Sequence, residues 1–122
     1  MHYRIGTRGS KLALVQSEYV KRRMEEAYPE DTFELVIIKT TGDKVTDKPL
    51  AAIGTKGLFV KEIEEELLSG SIDMAVHSMK DMPAECATGL TFAKAWKRED
   101  CRDVLILKTA GSFSELPSGA VI

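Results

Sequence analysis

The sequence has few of the residues that would place it in a specialised structural class. It contains two cysteines, one tryptophan and four prolines among 122 residues, and none of its apolar runs approaches the roughly 20 residues that span a bilayer. Cys86 and Cys101 form no Cys-x-x-Cys pair and have no histidine close by, which favours free thiols over a disulfide or a zinc site. The first residues lack the apolar core of a secretory signal. We therefore expect a reducing, cytoplasmic setting, no membrane partner and no bound metal.

The sequence also lacks a large excess of charge of either sign. The chain has 17 basic and 19 acidic residues and a formal net charge of −2, so it has no general attraction for nucleic acid or for an anionic membrane. Any cationic site must be local. The hydrophobic fraction of 43% and the charged fraction of 30% are typical of a globular domain with its own core. Residues 118–122 begin an apolar, strand-like run, and we expect the sequence to be a fragment of a longer protein.

The sequence alternates short apolar runs, typical of strands, with segments that have helical periodicity. The predicted elements are strands at 3–7, 33–39, 72–76, 90–96 and 103–107, helices at 11–27 and 58–68, and a helical turn at 112–116. Ser10 is the expected N-cap of the first helix, while Pro29 and Gly70 are expected to end the two helices. Glycines and a proline predict a loop over 42–57. This order predicts an α/β fold, with a mostly parallel sheet flanked by helices.

Polar clusters follow three of the predicted strands, at residues 7–10, 39–43 and 77–81. The carboxyl ends of parallel strands share one edge of a sheet, which is where open α/β sheets bind ligands. Three cations, Arg8, Lys56 and Lys80, are expected near this edge, together with helix N-termini. Such groups favour carboxylates or phosphates. The residues alone therefore predict an anionic organic ligand.

Each of these residues also has a purely structural interpretation. Arg8 could be a solvated turn residue, and Lys56 could mark a plain helix entry. His77 could be a core histidine bonded to backbone, and Asp81 could cap the turn that follows it. An aromatic residue at helical spacing, such as Phe59, is more often part of a core than of a binding site. The local patterns leave these alternatives open.

Three blocks of the sequence resemble the porphobilinogen deaminase, or hydroxymethylbilane synthase, family. The blocks are Arg4–Leu14, Gly54–Glu62 and Asp73–Pro83. The resemblance extends over essentially the whole chain, and the His-Ser-x-Lys-Asp-x-Pro element is highly specific when combined with the other two blocks. It implies a three-domain enzyme whose first domain, similar to type II periplasmic binding proteins, occupies residues 1–108 and is incomplete here. Residues 109–122 would be a truncated crossover into the second domain.

The resemblance also implies an activity in tetrapyrrole (haem) biosynthesis. The family joins four porphobilinogen units head to tail into hydroxymethylbilane and releases ammonia at each addition, so the expected partners are porphobilinogen and the growing polypyrrole. Asp81 matches the catalytic aspartate, whose carboxylate would stabilise the positive charge that develops as ammonia leaves. The implied cofactor-binding residues are Lys56, Ser78, Lys80 and Asp81. The implied substrate-binding residues are Arg8, Ser10, Phe59 and His77.

The cofactor of the family is a dipyrromethane joined to a cysteine of the third domain, which neither Cys86 nor Cys101 matches. The arginine-rich segment expected just after Ile122 also lies outside this sequence. We therefore expect the chain to be inactive alone and to self-associate through an unpaired sheet edge, whereas the full-length enzyme is expected to be a monomer. The alternative is a non-catalytic domain of the same fold that binds a carboxylate or oxyanion solute.

Overall fold

A computed structural model describes residues 1–44, 59–104, 106–107, 111–119 and 121. The chain divides into two compact units, residues 1–92 and residues 93–122. No helix in these described ranges is long and apolar enough to cross a membrane.

The first unit is a small α/β domain. Its elements are β1 (His2–Thr7), α1 (Lys11–Ala27), β2 (Thr32–Ile37), α2 (Thr41–Lys44), α3 (Lys61–Ser69), β3 (Met74–Ala75) and a 3₁₀ helix at Met79–Asp81. The three strands form a parallel sheet in the order β2–β1–β3. Ile5 of β1 lies opposite Leu35 on one side and Met74 on the other. The carboxyl ends of all three strands therefore lie at one edge, as the sequence predicts.

Local capping signals set the ends of the two long helices. The Ser10 hydroxyl accepts a hydrogen bond from the Ala13 N–H at 3.3 Å, which confirms Ser10 as the N-cap of α1. Helix α1 stops at Ala27, two residues before Pro29, because a proline disfavours helical backbone in the residue before it. Helix α3 ends at Gly70, whose φ of +75° is readily accessible to glycine.

The core of the first unit lies on both faces of the sheet. On one face, Ile5 is fully buried and the Ser17 hydroxyl of α1 donates to the buried Thr7 hydroxyl at 2.6 Å. On the other face, Gly6 allows Ile72 to approach the strand, since a Cβ at position 6 would lie 2.3 Å from the Ile72 Cδ1. Ile63 of α3 is also fully buried. The central strand is thus packed on both faces of the sheet. This packing fixes the position at which the residues after the strand begin.

Several predicted boundaries in the first unit were wrong. The strand predicted at 33–39 forms at Thr32–Ile37 and so ends before Lys39. The strand predicted at 72–76 is assigned only at Met74–Ala75, although the Asp73 and Val76 N–H groups extend its hydrogen bonding to β1. Helix α3 begins at Lys61 rather than 58, because Val60 is buried outside helical geometry. Helix α2 occupies the start of the predicted 42–57 loop, and the rest of that loop, 45–57, lies outside the described residues.

The two strands predicted at 90–96 and 103–107 are absent from the described residues of those segments. A strand forms only where a neighbour completes its hydrogen-bond ladder and its side chains find a surface to pack on. Val104 and Ile106 are 82% and 90% exposed, so these β-branched side chains have no such surface among the described residues of the second unit. The helical turn predicted at 112–116 is confirmed as a 3₁₀ helix at Phe113–Glu115.

Candidate functional site

A small pocket of about 110 Å³ opens at the carboxyl edge of the sheet, between the residues that follow β1 and those that follow β3. The strand order reverses at β1, and open α/β sheets bind ligands at such a reversal. Six of the predicted site residues line the pocket: Arg8, Ser10, His77, Ser78, Lys80 and Asp81. The sheet therefore brings together side chains that are up to 73 positions apart, counted from Arg8 to Asp81.

Arg8 lies at the centre of the polar contacts. Its Nη2 and Nε donate to Oδ1 of Asp43 at 2.6 Å and 3.1 Å. Its Nη1 lies 3.7 Å from Oδ2 of Asp81, an ion pair that is longer than a hydrogen bond. The Arg8 side chain is only 17% exposed, so it is not the solvated turn residue of the structural alternative.

Phe59 packs against the guanidinium of Arg8. The Arg8 Cζ lies 3.9 Å from the centroid of the Phe59 ring, which is a cation–π contact. Gly42 packs closely against the same ring, because a Cβ there would lie 2.1 Å from the ring's Cε1. The Phe59 ring therefore contacts both a guanidinium and the backbone of a glycine. It does not line the pocket itself but contacts a residue that does.

Asp43 is the carboxylate that holds Arg8 most closely. Partial burial by itself would raise the pKa of Asp43, but hydrogen bonds from Arg8 and Thr40 outweigh it and lower the pKa below its ordinary value. The Thr40 hydroxyl donates at 2.8 Å and the Thr40 N–H at 3.3 Å. Asp43 is thus ionised at neutral pH and is anchored to the chain that leaves β2.

Asp81 ends the 3₁₀ helix that follows β3. Its backbone N–H donates to the Ser78 carbonyl at 3.0 Å, which closes the turn. Its carboxylate instead pairs with Arg8 and is 22% exposed, so the capping alternative does not describe its side chain. Lys80, one residue earlier, is exposed at the pocket.

His77 is partly buried in the pocket wall. Its Nε2 has no hydrogen-bond partner within the described part of the chain. Burial lowers the pKa of His77, the positive charge of Arg8 lowers it further, and Asp81 opposes the change. The imidazole is therefore neutral at pH 7, with one ring nitrogen able to donate and the other able to accept.

Two serines complete the described part of the pocket. The Ser78 hydroxyl donates to the Gln16 side-chain carbonyl at 2.6 Å, so its oxygen remains available as an acceptor. The Ser10 hydroxyl accepts from the Ala13 N–H as the helix cap, so its proton remains available to a ligand. Each hydroxyl thus makes one hydrogen bond within the protein. Ser78 keeps an acceptor for a ligand in the pocket, and Ser10 keeps a donor.

Sequence reasoning placed Lys56 in the site, but this residue lies outside the described ranges. It placed Asp43 only within the polar cluster at 39–43, without a role of its own, and it did not identify Gln16. A signal for Asp43 existed, because Thr40-Thr-Gly-Asp43 has the Ser/Thr-x-x-Asp/Glu pattern of a capping box at the start of α2. Gln16 lies mid-helix, and nothing in its sequence neighbourhood singles it out.

The described site combines two cations, Arg8 and Lys80, with two carboxylates, Asp43 and Asp81. The cations can bind acidic groups, and a carboxylate can accept from N–H donors or stabilise a developing positive charge. Because these four charges balance, a ligand that carries several carboxylates needs further cations.

Comparison with known proteins identifies relatives along the whole chain. A family model described as "Porphobilinogen deaminase, dipyromethane cofactor binding domain" matches residues 3–122. The chain is 98% identical over all of its 122 residues to a porphobilinogen deaminase of Lachnospira eligens, and it covers 41% of that protein. It is 57% identical, again over its full length, to a porphobilinogen deaminase of Clostridioides difficile, with 41% coverage of the relative.

A porphobilinogen deaminase of Syntrophus aciditrophicus is 56% identical over 98% of the chain, which covers 39% of that relative. The chain thus spans about two fifths of the length of the curated relatives it matches.

Proposed function

This chain belongs to the porphobilinogen deaminase family, and on that basis we propose that it forms the N-terminal half of an active-site cleft. The proposed enzyme joins four porphobilinogen units into hydroxymethylbilane and releases ammonia at each addition. One observation carries the proposal: Nη1 of Arg8 lies 3.7 Å from Oδ2 of Asp81 at the rim of a polar pocket. A cation beside a carboxylate is complementary to pyrroles that carry both acidic side chains and N–H donors.

We propose Asp81 as the catalytic carboxylate. Loss of ammonia from an aminomethylpyrrole leaves positive charge on the ring, and a fixed carboxylate next to the ring N–H stabilises that charge. Its partial burial and its place on a turn closed by the Ser78 carbonyl support this role, because a preorganised charge needs no rearrangement during the reaction. The long ion pair with Arg8 leaves the carboxylate oxygens able to accept from the substrate.

We propose that the other pocket residues bind the acidic side chains of the pyrroles. Arg8 and Lys80 supply positive charge, and Ser10 supplies a hydroxyl donor. His77 supplies a neutral ring nitrogen that has no partner within the described residues. The contact of Phe59 with Arg8 supports a role for this aromatic ring at the site through the guanidinium.

The same groups fit a dipyrromethane cofactor, in keeping with the description of the matching family model. Lys80, Ser78 and Asp81 would hold it, together with Lys56, since cations and hydroxyls suit its carboxylates and Asp81 suits its pyrrole N–H groups. When bound, the cofactor supplies the primer on which the polypyrrole grows. We propose that its attachment cysteine belongs to a third domain beyond this sequence.

The proposed domain arrangement follows from the same family relationship. Residues 1–108 would form the first domain, similar to type II periplasmic binding proteins, and residues 109–122 would begin the crossover to the second. The parallel sheet with its ligand edge at the carboxyl ends of the strands is consistent with this arrangement. The substrates and partners of the full-length protein, porphobilinogen and the growing polypyrrole, are part of this proposal.

Replacing Asp81 tests the proposal in the full-length protein that contains this chain. We expect Asp81→Asn to lower the rate of hydroxymethylbilane formation by at least about 10²-fold, since it removes the charge but keeps the shape. Asp73→Asn is the matched control, because Asp73 lies outside the pocket. Turnover of Asp81→Asn close to that of the wild type, at a temperature where both variants are folded, would refute the proposed role.

The 122-residue chain provides a second test. Because the charges of its described site balance, we expect it to form no hydroxymethylbilane from porphobilinogen on its own. Product formation by this chain would show that the cleft needs no second half. A full-length protein that binds carboxylate solutes but never turns over porphobilinogen would instead indicate the solute-binding alternative. Sedimentation of the same sample would test the expected self-association.

A further inference from the structure

Asp43 has no part in the function proposed above, yet it makes the shortest described contact of Arg8, at 2.6 Å from Nη2. The geometry points to Asp43 as a positioning residue, which holds Arg8 so that one end of the guanidinium faces Asp81 and the pocket. This inference rests on the proposed function of the pocket, because it concerns how Arg8 is presented to an acidic ligand.

The guanidinium of Arg8 has donors that Asp43 does not use. Arg8 has five N–H donors in a rigid fork. Asp43 occupies the side-on edge, formed by Nε and Nη2. Nη1 points toward Asp81 instead. The two Nη1 hydrogens and one Nη2 hydrogen therefore remain as donors, and the end of the guanidinium can still bind a carboxylate of a ligand.

Asp43 is itself fixed in position by Thr40. Its Oδ2 accepts from both the hydroxyl and the N–H of Thr40, and Thr40 is completely buried. The carboxylate is thereby tied to the carboxyl end of β2, next to the central strand that precedes Arg8. A carboxylate anchored in this way transmits the position of the sheet to the guanidinium.

The guanidinium of Arg8 also has little freedom to turn. Phe59 covers one of its faces at 3.9 Å, and the ring is backed by Gly42, the residue immediately before Asp43. A planar group held along one edge and covered on one face has a defined orientation. The TGD segment, residues 41–43, thus contributes both the edge contact and the support for the ring.

Asp43 and Asp81 compete for the guanidinium of Arg8. Without Asp43, Asp81 is the nearest described acidic partner of Arg8. The guanidinium would then move closer to Asp81 and bind it. This contact would use the Arg8 donors that face the ligand, and it would also block the carboxylate proposed for catalysis. Asp43 prevents this by providing a closer and better anchored partner.

The test uses the full-length protein with Asp43→Asn, which keeps the side-chain shape, and Asp43→Ala, which removes the contact. Asp73→Ala is the matched control, because it removes the carboxylate of another Arg–Asp pair outside the pocket. Arg8→Met alone, and combined with Asp43→Ala, completes a double-mutant cycle. The measurements are kcat and KM, cofactor content by intact mass, Tm, and the ¹⁵N signal and exchange rate of the Arg8 Nε–H.

We expect Asp43→Ala to lower kcat/KM by about 10-fold to 100-fold, as misplacement of a binding group does, and to speed exchange of the Arg8 Nε–H. Asp43→Asn should show a smaller loss of the same kind, and Asp73→Ala should leave kcat/KM near that of the wild type. In the Arg8→Met background, Asp43→Ala should have little additional effect, because Asp43 acts through Arg8.

The inference is overturned if Asp43→Ala and Asp43→Asn both keep wild-type kcat/KM, or if the effect of Asp43→Ala keeps its full size in the Arg8→Met background. If Asp43→Ala does not fold, Asp43→Asn and the exchange rate of the Arg8 Nε–H decide. If the Arg8 Nε–H exchanges as slowly in Asp43→Asn as in the wild type, and kcat/KM is unchanged, the proposed role of Asp43 is contradicted. Failure of the proposed function is seen separately, as full turnover by Asp81→Asn.

Discussion

Arg4 and Arg8 lie four positions apart at the central strand, and each pairs with an aspartate, but the two pairs leave the guanidinium in different states. Arg4 donates to both oxygens of Asp73 at 3.1 Å, and its Nη2 also donates to the Gly70 carbonyl at 2.7 Å. Asp73 additionally accepts from the Arg4 N–H. The first pair is thus a link between β1 and the connection from α3 to β3, with the Nε and Nη2 donors of Arg4 directed at protein atoms.

Arg8 is held along one edge only. Its described partners are Asp43, the more distant Asp81 and the face of Phe59, and its remaining donors lie at a pocket. The same residue type therefore serves the fold within β1, at Arg4, and a ligand just after β1, at Arg8. The role of an arginine thus depends on whether the donors that its protein partners do not use lie at a pocket. The existence of an ion pair does not decide it.

The largest expected difference between the pairs is in activity. In the full-length protein, we expect Arg8→Met to lower kcat/KM by at least about 10²-fold, because it removes a charge placed at the reacting groups. Arg4→Met should leave kcat/KM near that of the wild type and lower the Tm by a few degrees. Kinetics measured well below both Tm values check this, and equal losses of activity in the two variants would remove the distinction.

Acid should affect both pairs in the same direction. Hydrogen bonds from Arg4 lower the pKa of Asp73, and the Arg8 and Thr40 hydrogen bonds, which outweigh burial, lower the pKa of Asp43. A carboxylate with a lowered folded-state pKa adds stability above its unfolded value of 3.8, and this stability is lost as the pH falls below that value through the folded pKa. The unfolded state then binds more protons than the native state.

Urea unfolding at neutral pH and at about pH 3 measures this loss. Asp43→Asn and Asp73→Asn should each lose less stability than the wild type between the two conditions, because each lacks one titrating carboxylate. A loss as large as that of the wild type in either variant would show that its pair does not contribute.

Salt gives the smallest expected difference. The side chains of Arg4 and Asp73 are 35% and 34% exposed, whereas those of Arg8 and Asp43 are 17% and 24% exposed. Added salt screens exposed charges more than partly buried ones. The Tm difference between the wild type and Arg4→Met should therefore shrink more, from about 0.01 M to 1 M salt, than the difference for Arg8→Met. The reverse order would contradict the assignment of Arg4 as the more solvated pair.

The features that could be predicted from the sequence are those with local or strictly topological causes. The range of α1 and its Ser10 cap follow from side chains within a few residues, and Gly70 ends α3 through its own backbone freedom. The approach of Arg8 to Asp81 follows from parallel pairing alone, since both residues come just after adjacent strands. Neither inference needs the details of packing.

The features that were missed depend on partners that are distant in sequence. The segments at 90–96 and 103–107 have the composition of strands, but a strand also needs a neighbour, and composition does not supply one. Asp43 pairs with a residue 35 positions away, and its polar cluster offered several other candidates. Whether a carboxylate faces a ligand or a guanidinium is decided by the tertiary structure.

The close packing of Gly42 against Phe59 has a practical consequence for altering this protein. A hydrogen atom is the largest substituent that position 42 accepts while the aromatic ring stays over Arg8, since a methyl group would overlap the ring. Introducing alanine there would shift the ring and admit water to the covered face of the guanidinium, with no change to any charged group. Position 42 therefore offers a way to adjust the hydration of the arginine independently of the charges that surround it.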